Sequence, residues 1–160
     1  WELAKDRKDK RAIKKTLPKL SFEGRFQYLD KGKIKKRLQK NEVIMIDGAH
    51  ATADAKNLAD YLKNIKIPKY GIWAMTKNKE PDLFIKQFKG VFEKVVTMPI
   101  ENELNSVSSN ELYKIAVKNK FKAEKSNNFI EALKKISSKE KKIIVCFGSL
   151  YNGGNILNKN

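Results

Sequence analysis

From Phe22 onward the apolar residues of this chain fall into two alternating rhythms. The first is the short continuous run. Val43-Ile44-Met45-Ile46, the stretch from Tyr70 to Met75, Phe92 to Met98, and Ile143-Ile144-Val145-Cys146-Phe147 are four such runs. Apolar positions that do not alternate with polar ones read as strands buried on both faces. Phe26 to Leu29 and Phe121 to Ala123 read as two shorter strands. The second rhythm is helical. Ala55, Leu58, Ala59, Leu62 and Ile65 mark one face of a helix over 51–65, and Pro68 breaks the chain after it. Pro81 opens a helix carrying Leu83, Phe84, Phe88 and Val91. Two more helices are expected over 109–119, with Ser109 as its cap, and over 127–136. A last short helix starts at Leu150. Residues 31–42, KGKIKKRLQKNE, read as a basic connection.

Strand and helix alternate, which predicts an α/β fold with a mostly parallel sheet and helices on both of its faces. Residues 1–20 are highly charged and lack this periodicity, so they read as a linker or the tail of a preceding segment. Residues 21–160 are then one domain, a length that suits a single core.

Charge changes the picture only in part. Lys and Arg together number 35 against 18 acids, for a net charge of +17. A strongly basic chain raises nucleic-acid binding as a reading. Only four of the cations are Arg, however, and planar bidentate recognition usually calls on that residue. The cations are also spread along the whole sequence, in company with abundant Asn and Ile, as an A+T-rich coding sequence would favour. Nucleic acid is therefore not expected as a partner, although a positive field suits anionic small molecules. Cys146 is alone, so no disulfide or zinc set can form within the chain, and a reducing cytoplasm is expected. No apolar run is long enough to cross a membrane, and residues 1–20 lack the apolar segment of a secretory signal.

Candidate chemistry collects where strands end. In open α/β sheets ligands bind at the carboxyl ends of the strands. Three such ends carry unusual residues: DGAH at 47–50, MTKNKEPD at 75–82 and CFGSLYNGG at 146–154. Each precedes a helix, whose free N–H groups and dipole favour an anion. In DGAH, Gly48 allows a sharp turn, Asp47 offers an acceptor for hydroxyl groups such as those of ribose, and His50 can donate or accept near a carboxylate. The plainer alternative is that Asp47 caps the helix and His50 is a satisfied polar side chain. Ser149 and Tyr151 either meet a ligand or serve as an N-cap and a packed ring. Lys79 and Glu80 can equally be an exposed pair, and Arg25 a surface residue. No P-loop, no G-x-G-x-x-G after a strand and no Cys/His metal spacing is present. A hydrolase triad does not fit one His and one buried Cys.

Taken together, EGRFQ at 23–27, DGAH at 47–50, KNKEPD at 77–82 and FGSLY at 147–151 resemble, in order and rough spacing, a known domain. It is the C-terminal domain of the bifunctional folylpolyglutamate synthase/dihydrofolate synthase, within the Mur ligase superfamily. The resemblance runs from about Ala12 to the end. It implies a Rossmann-like fold of the Mur ligase C-terminal type, which closes over ATP and helps hold glutamate. It also implies that ATP, Mg²⁺ and most of the dihydropteroate or folate are bound by an N-terminal domain beyond this chain, which alone would be inactive. The reaction implied joins glutamate to the folate carboxylate through an acyl phosphate. By position, Arg25 and Asp47 resemble nucleotide contacts, and His50, Ser149 and Tyr151 resemble residues near the incoming glutamate. Lys79 matches the lysine of a D-K-D segment and is a further candidate at the rim. No catalytic residue and no metal ligand is assigned within these 160 residues, and a monomer is expected. Where the family reads D-G-A-H-N-P, Ala51-Thr52 stand in place of Asn-Pro. Two alternatives remain at this point: a muramyl-peptide-type ligase C-terminal domain, which shares the D-x-A-H turn, and a non-catalytic basic nucleic-acid-binding module.

Overall fold

The computed structural model describes residues 25–160; the tail read into residues 1–20 lies outside them. The described chain runs β1 (Gln27–Leu29), α1 (Lys33–Arg37), β2 (Glu42–Ile46), α2 (Thr52–Lys63), β3 (Lys69–Trp73) and α3 (Pro81–Lys86). It continues through β4 (Lys94–Thr97), α4 (Ser109–Lys118), β5 (Ala123–Lys125), α5 (Phe129–Ile136), β6 (Lys142–Phe147) and α6 (Leu150–Asn158). The six strands form one sheet in the order β1-β2-β6-β3-β4-β5. β1 is antiparallel to β2, and every other pair is parallel. This is the expected α/β fold.

Strand alternation divides the core into two layers. Met45, Trp73, Val95, Val145 and Phe147 point to one face, where α2, α3 and α4 contribute Leu58, Leu62, Phe84 and Leu112. Ile44, Ile46, Ile72, Val96, Ile144 and Cys146 point to the other, against Ile34, Phe129, Leu133 and Ile156 from α1, α5 and α6. The first layer is aromatic: the Phe147 ring lies 4.8 Å from Phe88, 5.0 Å from Phe92 and 5.9 Å from Phe84, centroid to centroid. Gly71 makes room for it, since a Cβ there would stand 2.9 Å from the Phe147 ring.

Several local expectations are corrected. The basic connection 31–42 contains α1, whose one buried side chain, Ile34, anchors it to the second layer. α3 ends at Lys86, so Phe88 and Val91 are buried from the turn that follows, while Leu83 is 45% exposed. Ser108, not Ser109, caps α4: its side chain accepts the Glu111 N–H. Ser109 instead bonds the Thr97 carbonyl at 2.8 Å. β5 lies two residues later than expected. Among the described residues no helix is long and apolar enough to cross a membrane.

Candidate functional site

The three unusual strand ends meet because β6 lies between β2 and β3 and all three run the same way. DGAH, GSLY and the 74–80 loop therefore leave adjacent strands at one edge of the sheet. β1, being antiparallel, brings Arg25 and Phe26 to that edge, since Gln27 pairs with Ile46.

Asp47 organises the edge. Its N–H continues the ladder to the Cys146 carbonyl at 2.9 Å. One carboxylate oxygen accepts the Ala49 N–H at 2.7 Å and the other the Phe26 N–H at 2.9 Å. The side chain is 1% exposed. Burial raises its carboxyl above the ordinary range, and the two N–H donors oppose that without reversing it. Asp47 does not cap α2. That helix has Ala51 at its N-cap, which makes no side-chain bond, while the Asp54 carboxylate of the first turn reaches back to the Ala51 N–H.

Asp54, in that first turn, joins two candidates. Its carboxylate lies 3.3 and 3.4 Å from the Arg25 guanidinium and 3.9 Å from His50 Nδ1. Burial pulls the Asp54 carboxyl upward, but the bond and charge of Arg25, with His50, outweigh it and leave it below the usual range. The His50 Nδ1 is 2.8 Å from the Gly48 carbonyl. A carbonyl only accepts, so Nδ1 carries the proton, and in the neutral ring Nε2 is left as an acceptor. Sequence reasoning did not single out Asp54. Its signal was the i, i+4 step from His50 along a helix.

His50, Ala51 and Thr52 face Asn78, Lys79 and Glu80 across a cavity of about 260 Å³. The loop carrying Lys79 is braced from behind: the Lys77 N–H bonds the Asn105 carbonyl at 2.7 Å, and Thr76 pairs with Ser106. Just past β6, Gly148 has φ +104°, and a Cβ there would come within 2.3 Å of the Ala74 carbonyl oxygen. Only glycine lets the two strand ends close up in this way. The buried Trp73 indole N–H beside it has no hydrogen-bond partner. Ser149 is 4% exposed and caps α6, its Oγ accepting the Tyr151 N–H at 3.2 Å. The capping alternative holds for this serine, yet its hydroxyl proton stays available. Tyr151 is 66% exposed, so it is not the packed ring of the plainer reading. Arg25, Asp47, His50 and Asp54 thus form one cluster, Lys79 faces His50, and Ser149 and Tyr151 leave the neighbouring strand at the same edge. Among the described residues no group of three or more His, Cys, Asp or Glu could hold a metal ion.

The family model for the dihydrofolate synthetase C-terminal domain matches residues 30–159. No curated protein matches the chain by sequence. Solved structures do match by fold. Mycobacterium tuberculosis folylpolyglutamate synthase complexed with ADP and AMPPCP superposes with a TM-score of 0.72 at 18% identity, over 86% of this chain and 32% of that one. E. coli FolC in complex with DHPP and ADP gives 0.70 at 15% identity, covering 86% and 31%. A bifunctional folylpolyglutamate synthase/dihydrofolate synthase with Mn, AMPPNP and L-glutamate bound gives 0.69 at 16%, again over 86% and 31%. The chain spans about a third of the length of these proteins.

Proposed function

This chain belongs to the dihydrofolate synthetase C-terminal domain family, and from that premise we propose that it is the closing domain of an ATP-dependent ligase that adds glutamate to dihydropteroate or folate. The observation that carries the reading is the junction of β2, β6 and β3, whose three loops bring cationic, carboxylate and hydroxyl groups to one edge. Relatives of the same fold have been captured with ADP, DHPP and L-glutamate.

Each residue has a task in this reading. Arg25, with the guanidinium N–H groups that Asp54 leaves over, and the N-terminal end of the α2 dipole offer positive charge to the nucleotide phosphates. Asp47, whose oxygens both hold backbone N–H groups, fixes the turn and the entry of Arg25; each oxygen keeps a lone pair, so a nucleotide hydroxyl that reached this buried group would add a bond. His50 Nε2 accepts from the amine of the incoming glutamate. The Ser149 hydroxyl and Tyr151 phenol donate to one of its carboxylates, and Lys79 attracts the other. Making and attacking an acyl phosphate needs positioning and a dry site more than an acid–base pair. Closure against a second domain supplies both. Phe26, Leu104, Leu150 and Tyr151 are exposed at this edge, as suits a surface that a neighbouring domain covers. Mg²⁺, when bound, screens the phosphates; the described residues do not offer it a ligand set, so it belongs with the companion domain. We further propose a monomer acting in the cytoplasm, where the buried Cys146 thiol, pushed far up by burial, stays inert.

The test joins this domain to the ATPase half of a folate ligase. ADP release that requires both dihydropteroate and glutamate, and that falls away when the domain is omitted, is the expected result. Activity with a muramyl-type acceptor instead would overturn the folate assignment.

A further inference from the structure

Along the sequence the cations look evenly scattered, but the fold sorts them. The five connections at the edge where the parallel strands begin are 30–41, 64–68, 87–93, 119–122 and 137–141; they hold twelve Lys or Arg and three acids. The five at the DGAH edge are 47–51, 74–80, 98–108, 126–128 and 148–149; they hold two Lys and four acids. Drift toward lysine codons would load both edges alike. Helix dipoles explain lysines in last helical turns, such as Lys63, Lys118 and Lys135. Three of the twelve, Lys35, Lys36 and Arg37, stand in the last turn of α1, where the same dipole favours them; the other nine lie outside the last turn of any helix.

The basic connections also abut one another. The Lys142 N–H bonds the Asn41 carbonyl, Ile143 bonds Pro68, Glu93 bonds Lys69 and Val95 bonds Lys122. The Asn41 side chain reaches the Lys139 carbonyl. The cations therefore form one row across five parallel strands, on the order of 20 Å long at the usual strand spacing. Lys36, Arg37, Lys40, Lys120, Lys139 and Lys141 are exposed, with no ion pair to another described residue.

We propose that this edge is a docking surface for the phosphate backbone of a nucleic-acid duplex, contacted without regard to base sequence. Lysine, a flexible point charge, suits backbone contact rather than base readout. The large exposed apolar side chains are Phe26, Leu83, Leu104, Val117, Leu150 and Tyr151. Only Val117 approaches this edge, and the rings there, Tyr70, Phe92 and Phe121, are partly buried, so among the described residues it presents no open ring platform for single-strand stacking and no apolar wedge for lipid. Ile34, the apolar residue of the basic α1, is turned inward. The row spans about six base pairs at the ~3.4 Å rise of one strand. This inference stands apart from the ligase reading, and neither result below bears on that reading.

The experiment titrates this chain into a labelled duplex of about 20 base pairs and follows anisotropy from about 50 to 200 mM salt. A log–log slope of about −4 to −6 is expected, near 0.9 per phosphate neutralised. Replacing Lys36, Arg37, Lys139 and Lys141 by Gln should flatten the slope by about 3 and weaken binding at least tenfold at about 150 mM salt. Replacing Lys56, Lys77, Lys114 and Lys125 by Gln removes the same charge elsewhere and should change affinity no more than about twofold. Thermal melts check that both variants fold; if the first does not, Lys66, Lys89, Lys120 and Lys122→Gln carries the same expectation. Equal weakening by both sets would overturn the proposal, as would a flat salt dependence. So would tighter binding to phosphatidylserine vesicles than to the duplex.

Discussion

Strand β2 has a buried carboxylate at each end, and the two are used differently. Glu42 opens the strand and is wholly buried. It accepts from the Gln39 N–H at 2.9 Å, the Ser138 N–H at 2.7 Å and the Ser137 hydroxyl at 3.0 Å. Beside it on β6, Lys142 donates to the Ile136 carbonyl at 2.9 Å and to Ser138, and its ammonium lies 4.6 Å from the centre of the Tyr70 ring. That network satisfies its own donors and acceptors and ties the α1–β2 and α5–β6 connections together, although Ser137, Ser138 and Lys142 also line a cavity of about 340 Å³. Asp47, just past the other end, also holds two backbone N–H groups, but its neighbours do not close on themselves. His50, Lys79 and the first turn of α2 stand around a cavity, and Arg25 is held beside them by Asp54 with guanidinium N–H groups to spare. A buried carboxylate is therefore no sign of a functional site. Unused donors and acceptors beside it are.

The sharpest break of this comparison would come from Glu42→Ala. It leaves three partly buried donors without their acceptor and should cost on the order of 3 kcal/mol in urea unfolding. Turnover per folded molecule in the assembled ligase should not change. A small stability loss would mean that the network is not closed as described. Asp47→Ala should act the other way round: a stability loss of about 1–2 kcal/mol, with turnover cut roughly tenfold or more. Unchanged kinetics would remove Asp47 from the site.

The finest test is pH. The Asp47 carboxyl sits above its ordinary 3.8 in the folded state. Its contribution is then full below the unfolded value and lost as pH rises through the raised one. Asp54 sits below 3.8, so its contribution is present above that value and lost as pH falls through the lowered one. Asp47→Asn should hence cost more stability near pH 3 than near pH 7, and Asp54→Asn the reverse. Asp54 is partly exposed, so solvent screening limits its effect to about 0.5 kcal/mol. Urea unfolding at the two pH values reads both, and parallel behaviour of the two variants would show that the Arg25–Asp54 pairing is not what lowers the Asp54 carboxyl.

Much of this was legible beforehand, and the reason is local. Ile44 to Ile46 and Ile143 to Phe147 lie in strands buried on both faces, and such strands admit few polar residues. Leu58 and Leu62 repeat at the helical period because a helix packed on a sheet buries one stripe. The misreadings were also local. Ser108 and Ser109 are both able caps, and the choice fell to Thr97, whose hydroxyl and carbonyl engage Ser109 from β4. α1 was hidden because a five-residue helix with one buried side chain leaves no periodic trace.

The sequence by itself determined the alternation of strand and helix, the likeness to one ligase family and the three strand ends where chemistry collects. All of these depend on spacing within a few residues. Tertiary structure alone decided that Asp54 would link Arg25 to His50 and that Asp47 would hold Phe26. It also decided that cations from five separate connections would share one edge while the candidate site occupied the other. Such outcomes depend on strand order and direction, and a sheet that inserts its last strand between β2 and β3 brings together residues a hundred positions apart, with no mark on the neighbours of either.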